Sequence, residues 1–166
     1  NGPDYQACVD LVRREGLVQK VFFLDFVTDV AGVLSIADLF MLPSEMESFG
    51  LAALEAMSCE VPVIASRVGG LPEVIEDGVS GLLRPVGDVE GMAREALKVL
   101  ADDALQRVVG AQRALVLGGE GVVAEGLLDA ALHQGGGGTQ LHLAQLGDDL
   151  CGLHPRRLTV LAGVDG

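Results

Sequence analysis

Residues 42–57 read LPSEMESFGLAALEAM and join an apolar run to a helix-like pattern. The apolar run, Leu39–Leu42, is short and ends at Pro43, which is typical of a strand covered on both faces of a parallel sheet. After the polar segment, leucine and methionine recur every three residues from Leu51, which predicts a helix over about 50–58. The stretch therefore predicts a strand, a turn and a helix of an α/β fold.

The turn before this helix has the features of a ligand site. Ser48 is expected to cap the helix N-terminus, and Gly50 places no side chain in front of the first N–H groups. These N–H groups and the helix macrodipole favour anionic or strongly accepting oxygens. Phosphate groups or sugar hydroxyls would fit at this end of the helix.

Two carboxylates flank the turn. Glu47 precedes the helix and Glu55 lies about two turns into it, a separation of eight residues. A wholly helical segment of that length would rise roughly 12 Å, whereas the carboxylates of glycosidases lie about 5 to 9.5 Å apart. The spacing disfavours a hydrolytic acid–base pair. It suits two ends of one ligand, such as a sugar ring and a ribose diol with a diphosphate between them.

The simpler alternative is that both glutamates are solvated charges on an amphipathic helix. For a single acidic residue this alternative usually holds. Here the neighbouring sequence favours a site, because 43–50 and 55–59 together resemble the donor-site signature of family 4 glycosyltransferases of GT-B fold. Further stretches resemble the same family, namely 1–5, 21–26, 61–66, 69–75, 77–83 and 85–88.

This resemblance implies a role for each residue of the signature. Glu47 would contact the donor sugar and act as the catalytic positioning residue, and Glu55 would hold the ribose. The backbone N–H groups of Phe49, Gly50 and Leu51 would bind sugar and phosphate. The complete donor-binding set implied by the resemblance is Glu47, Ser48, Phe49, Gly50, Leu51 and Glu55.

A second loop is a possible part of the donor side. It comprises Ser66, Gly69, Gly70 and Glu73. A Gly-Gly pair alone is a weak signal, and Glu73 could serve only to favour the N-terminus of its own helix. The residues of this loop therefore have either a binding role or a structural one.

The resemblance also implies a reaction. Family 4 enzymes retain the anomeric configuration, and their catalysis depends on orientation and electrostatic stabilisation of the leaving diphosphate. No metal and no cofactor are expected. Within the family, 44–51, 67–75 and 86–93 resemble enzymes that transfer N-acetylglucosamine from a UDP-sugar to L-malate in bacillithiol synthesis. The alternatives are another donor such as GDP-mannose, another acceptor, or a catalytically inactive nucleotide-binding module.

The expected fold is α/β, a Rossmann-like three-layer and mainly parallel sheet that forms the C-terminal half of a GT-B enzyme. Residues 1–112 would form this nucleotide-sugar-binding domain, incomplete at its N-terminus. The N-terminal GT-B domain is absent from the sequence, so the fragment alone is expected to be inactive. Residues 113–166 form a Gly-rich tail without resemblance to the family, in which 115–132 could be helical and the rest is expected to be disordered.

Two residues depart from the pattern of the family. Asp25 and Glu60 stand where family members commonly have glycine. A carboxylate at Asp25 could crowd or repel the nucleotide. Glycine in the turn at Glu60 often supplies a positive φ, which another residue adopts at a cost of about 1 kcal/mol.

Composition is compatible with an aliphatic α/β domain. The 166 residues are 49% hydrophobic and only 4% aromatic, and the formal net charge is −13. This charge disfavours nucleic acid and anionic membranes as partners, and the apolar runs are too short to span a bilayer. The three cysteines lack metal-ligand spacing, which favours reduced thiols in the cytoplasm.

Overall fold

The computed structural model describes residues 4–24, 27–110, 140–146 and 157–163. Asp25 and the expected helix over 115–132 lie outside these residues. The helices are α1 (Tyr5–Arg14), α2 (Val30–Leu34), α3 (Leu51–Ser58), α4 (Leu71–Val74), α5 (Val89–Ala101) and α6 (Asp103–Gly110). The strands are β1 (Val21–Phe23), β2 (Leu39–Leu42), β3 (Val63–Ser66), β4 (Leu82–Arg84), β5 (Gln140–Leu146) and β6 (Arg157–Gly163).

The six strands form one sheet in the order β1-β5-β6-β2-β3-β4. β2 is parallel to β6 and to β3, and β3 is parallel to β4. β5 is antiparallel to both of its neighbours, β1 and β6, so β1 runs in the same direction as β2. The sheet is therefore mainly parallel, as the sequence predicts.

Helices cover both faces of the sheet because side chains of a strand alternate between its two faces. Phe40 and Leu42 of β2 pack on one face in a core cluster that includes residues of α2 and α3. Leu39 of β2 and Ile64 of β3 pack on the other face against α5. Two apolar layers separated by the sheet give the expected three-layer architecture.

The largest difference from expectation lies near the C-terminus. Disorder is expected after residue 132, but 140–146 and 157–163 are strands. They pair with each other over seven residues, from Gln140 opposite Gly163 to Leu146 opposite Arg157. The expectation is wrong for these two segments. Their outer edges pair with β1 and β2, which are more than a hundred residues away in sequence, so these contacts depend on the tertiary fold.

Two local features of the structure depend on single residues. Asp88 caps α5, since its carboxylate accepts a hydrogen bond from the Gly91 N–H at 2.9 Å. Glu60 adopts a φ of 62°, which makes it the positive-φ residue other than glycine among the described residues. The turn between α3 and β3 therefore carries the backbone cost predicted for a glutamate at this position.

Candidate functional site

The candidate site lies at the carboxyl ends of β2 and β3, where ligands of open α/β sheets commonly bind. The segment 43–50 follows β2 and leads into α3, and the segment 67–70 follows β3 and leads into α4. The sheet places these two segments side by side because Leu42 pairs with Ala65 in the parallel register of β2 and β3. Both stretches that the sequence singles out therefore meet at one edge.

Glu47 is half-buried at the mouth of α3. Its Oε1 atom accepts hydrogen bonds from the Phe49 N–H at 3.3 Å and from the Gly50 N–H at 3.0 Å. The carboxylate thus contacts two of the three N–H groups that the sequence assigns to ligand oxygens. A carboxylate at this position shows that the turn can hold an anionic oxygen.

The prediction that Ser48 caps α3 is wrong. The N-cap residue is Gly50, with a φ of 90°, and no side chain makes the cap hydrogen bond. The exposed Ser48 lies two residues earlier, and the Glu47 carboxylate reaches the neighbouring N–H groups instead. The left-handed turn at Gly50 places the first residue of α3 at Leu51. Ser48 is therefore too far along the chain to be the N-cap.

Glu55 lies on α3 and is half-buried. Burial raises the pKa of its carboxyl group above the usual value, because desolvation disfavours the charged form. A half-buried carboxylate can accept hydrogen bonds from paired hydroxyls with less competition from water than a surface carboxylate. Glu55 therefore differs in environment from the exposed acidic residues of this chain.

Replacing Glu55 with Gln is expected to stabilise the protein near neutral pH. The pKa of Glu55 is higher in the folded state than in the unfolded state. Ionisation of this carboxyl group therefore lowers the free energy of unfolding as pH rises through the folded-state pKa. The increase in the free energy of unfolding caused by Glu55→Gln should shrink on acidification. It should vanish once the carboxyl group of the wild type is protonated in both the folded and the unfolded state. Urea unfolding at several pH values measures this. Glu90→Gln, at an exposed side chain, is the control, and a gain that grows on acidification would contradict the prediction.

The second loop packs directly against the first. Gly69 and Gly70 lie between β3 and α4, and the Gly70 N–H donates to the Glu47 carbonyl oxygen at 3.4 Å. Ser66 is fully buried at the end of β3, and Glu73 is exposed in the first turn of α4. Of the four residues of this loop, the structure brings the two glycines into contact with the Glu47 turn.

Two buried hydroxyl groups lie beneath these loops. Ser44 follows β2 and is 8% exposed, and Ser66 ends β3 with no exposed surface. Neither Oγ atom has a hydrogen-bond partner within the part of the chain that the structure describes. Such groups are rare in folded proteins. Sequence reasoning did not assign Ser44 a role, and only its burial at the strand end distinguishes it from a surface serine.

A network of charges borders the site on the side of β4. Arg67 forms an ion pair with Asp77, and Arg84 lies 3.8 Å from Asp77 and 2.9 Å from Glu95. Burial alone would raise the pKa of Glu95, but Arg84 and Lys98 outweigh it and hold this pKa below its usual value. The network joins the ends of β3 and β4 to α5 and so stabilises the edge that carries the second loop.

The described residues form neither a metal site nor a membrane span. Over 4–24, 27–110, 140–146 and 157–163, no group of three or more His, Cys, Asp and Glu residues is arranged to hold a metal ion. Within the same ranges, none of the helices combines the length and the apolar character that a membrane span requires. The loops at the ends of β2 and β3 are thus the candidate site in the described part of the chain.

The sequence of this region matches a known family. The family model of glycosyl transferases group 1 covers residues 1–102. The chain belongs to this family. The matched range includes Glu47, Glu55 and the Gly69–Gly70 pair, and it ends before β5 and β6.

Individual relatives of this glycosyltransferase chain agree with the family match. N-acetyl-alpha-D-glucosaminyl L-malate synthase of Bacillus anthracis is 46% identical over 110 residues, which are 66% of this chain and 29% of the relative. D-inositol 3-phosphate glycosyltransferase of Mycobacterium marinum is 43% identical over 108 residues, 64% of this chain and 22% of the relative. The chain therefore spans less than a third of the length of these relatives.

Solved structures show the same fold. HepE of Anabaena in complex with UDP-glucose has a TM-score of 0.67 and 27% sequence identity, over 77% of this chain and 36% of that protein. The group 1 chain thus has the fold of the C-terminal half of a GT-B glycosyltransferase, as its sequence predicts.

Proposed function

We propose that this chain binds the nucleotide-sugar donor of a retaining glycosyltransferase. The observation that carries the proposal is the turn at the carboxyl end of β2, where Glu47 contacts the N-terminus of α3 and Glu55 lies half-buried on the same helix. Both residues fall within the region that matches the family. Two carboxylates on either side of a helix N-terminus suit a ligand with hydroxyl groups at both ends and a diphosphate between them.

In this proposal each residue of the turn has a separate task. Glu55 accepts hydrogen bonds from the ribose hydroxyls, and Phe49, Gly50 and Leu51 present backbone N–H groups to sugar and phosphate oxygens. Two of these N–H groups donate to Glu47 in the structure, so the Glu47 carboxylate must turn away for a ligand oxygen to bind there. The displaced carboxylate then accepts hydrogen bonds from the donor sugar.

The chemistry follows from this arrangement. The leaving diphosphate is stabilised by N–H groups and the dipole of α3, and Glu47 holds the sugar in position for attack by the acceptor hydroxyl on the same face. Glu47 acts as a positioning group and forms no covalent bond. In this proposal an N-terminal GT-B domain supplies the acceptor site and the remaining contacts to the diphosphate.

The proposed donor is UDP-N-acetylglucosamine and the proposed acceptor is L-malate. Support comes from the N-acetyl-alpha-D-glucosaminyl L-malate synthase of Bacillus anthracis at 46% identity and from the UDP-glucose complex of HepE. A second candidate acceptor is a phosphate-bearing hydroxyl compound, because a D-inositol 3-phosphate glycosyltransferase is also 43% identical. Both candidates use the same donor site and differ in the acceptor.

Calorimetric titration of the chain with UDP, UDP-N-acetylglucosamine and GDP-mannose tests the proposal. We expect selective binding of the UDP compounds, and we expect Glu55→Ala to weaken UDP about 10-fold or more because a ribose contact to a charged group is lost. Glu90→Ala, a charge on the exposed face of α5, should bind as the wild type does. Preference for GDP-mannose would assign another donor, and a folded chain that binds none of the three would refute the proposal.

A further inference from the structure

The Gly69–Gly70 pair makes close backbone contacts with the Glu47 turn. A Cβ atom added at Gly69 would lie 1.5 Å from the Glu47 carbonyl oxygen. A Cβ atom added at Gly70 would lie 2.7 Å from the Ser48 carbonyl oxygen and 2.9 Å from the Phe49 Cα atom. These neighbours are backbone atoms, so they cannot move aside as a flexible side chain can. Any side chain at 69 or 70 therefore displaces the turn that carries Glu47.

A second contact joins the same two segments from the other side. Gly50 has a φ of 90°, and a Cβ atom there would lie 2.7 Å from Cδ2 of Leu71. Leu71 is fully buried at the start of α4. The N-cap of α3 is thus packed against the first residue of α4, and the two segments contact each other at three glycines.

We propose that the Gly69–Gly70 pair is a positioning element for Glu47 and for the N–H groups of Phe49 and Gly50. The inference rests on the proposed function, since these groups are the proposed contacts to the donor sugar and to its phosphate oxygens. The pair is glycine because the backbone of residues 47–49 lies against it, and no ligand contact is required to explain either residue. It acts through the Glu47 turn and leaves the ribose contact at Glu55 unchanged.

At Gly70, the effect of an added side chain can be measured without backbone strain. Its φ is −78°, which any residue adopts, so alanine at this position adds a close contact without backbone strain. Gly78 has a φ of 81° and nothing within 4 Å of an added Cβ atom, so Gly78→Ala adds strain without a contact. The two variants separate displacement of the Glu47 turn from a general loss of stability.

Titration of the full chain with UDP and with UDP-N-acetylglucosamine is the first measurement. In Gly70→Ala we expect the affinity for UDP-N-acetylglucosamine to fall about 10-fold or more. The reason is that a small displacement of the groups that position a ligand causes a large loss of its binding. The affinity of this variant for UDP should fall by a smaller factor, since Glu55 keeps its ribose contact and only the phosphate contacts of the displaced N–H groups are weakened. Gly78→Ala should keep the sugar preference. Equal losses for both ligands, or none, in Gly70→Ala would overturn the inference.

NMR spectra distinguish this inference from the proposed function. If the wild type binds no nucleotide, the proposed function fails. The amide signals of Phe49 and Gly50 still test whether the Gly69–Gly70 pair holds the Glu47 turn in position, because they need no ligand. We expect both signals to shift and to exchange faster in Gly70→Ala than in Gly78→Ala. Unchanged signals would overturn the inference.

A milder variant covers the outcome in which Gly70→Ala does not fold. Glu47→Gln alters the acceptor of the Phe49 and Gly50 N–H groups at a half-buried position. We expect the amide signals of Gly69 and Gly70 to shift together with those of Phe49 and Gly50. Shifts confined to residues 47–50 would show that the two segments are independent and would overturn the inference.

Discussion

A chain that ends after Gly138 is expected not to fold. The truncation removes β5 and β6, which occupy the two positions between β1 and β2 in the sheet. β2 would lose its parallel partner β6, and β1 would lose its pairing with β5. Thr159 of β6 is only 2% exposed, so the lost strand is part of the buried sheet.

The expected size of this effect follows from the position of the strands. Without β6, the inner strand β2 becomes an edge strand whose backbone groups and apolar side chains are exposed to water. Each hydrogen bond that a buried group fails to make costs about 1 to 3 kcal/mol. Several such losses exceed the total stability of a typical domain, about 5 to 15 kcal/mol. Circular dichroism and urea unfolding of the truncated chain should show no cooperative transition.

The control is a chain that ends after Gly163, the last residue of β6. It keeps the whole sheet and should unfold at the same urea concentration as the full chain. If the chain that ends after Gly138 unfolds cooperatively at that concentration as well, then β5 and β6 contribute nothing to the core. Such a result would contradict the central place of this hairpin in the sheet.

Phe40→Ala is expected to lower the free energy of unfolding by about 3 to 5 kcal/mol. Phe40 is the largest of the fully buried side chains and lies on β2, within the core cluster formed with α2 and α3. Its removal leaves a cavity beneath the strand that leads into the Glu47 turn, so donor binding should weaken as well. Urea unfolding measures the loss of stability, and UDP titration measures the loss of binding.

Phe22→Ala is the matched control. Phe22 lies on β1, at the edge of the sheet, and is 49% exposed. The same truncation there removes much less buried surface, and we expect a loss of about 1 kcal/mol or less. Similar losses for the two variants would show that the core on the α3 side does not support the site.

Local patterns predicted the elements that carry the site. The apolar run of Leu39–Leu42 forms β2 with the expected bounds, and the three-residue spacing that begins at Leu51 forms α3. The positive φ at Glu60 also followed from its turn. Each of these features depends on residues close in sequence, where strand or helix periodicity and backbone sterics act directly.

The arrangement of the turn depended on contacts that no local pattern shows. Serine is a common cap, so Ser48 was the natural choice, yet the N-cap is Gly50 in a left-handed conformation, and Glu47 accepts a hydrogen bond from the Gly50 N–H. That conformation is held against Leu71, about twenty residues away. The residue at which α3 begins therefore depends on packing between α3 and α4.

The sequence by itself determined the family, the β2–α3 turn with its two glutamates, and the α/β class, because these depend on short motifs and periodicity. Only the tertiary structure decided that Gly69 and Gly70 contact the Glu47 turn and that β5 and β6 lie between β1 and β2. Strand pairing is set by partners that can be more than a hundred residues away. The stabilisation from strand pairing arises only when backbone groups that are distant in sequence form hydrogen bonds. The sequence pattern of one segment therefore does not predict its partner.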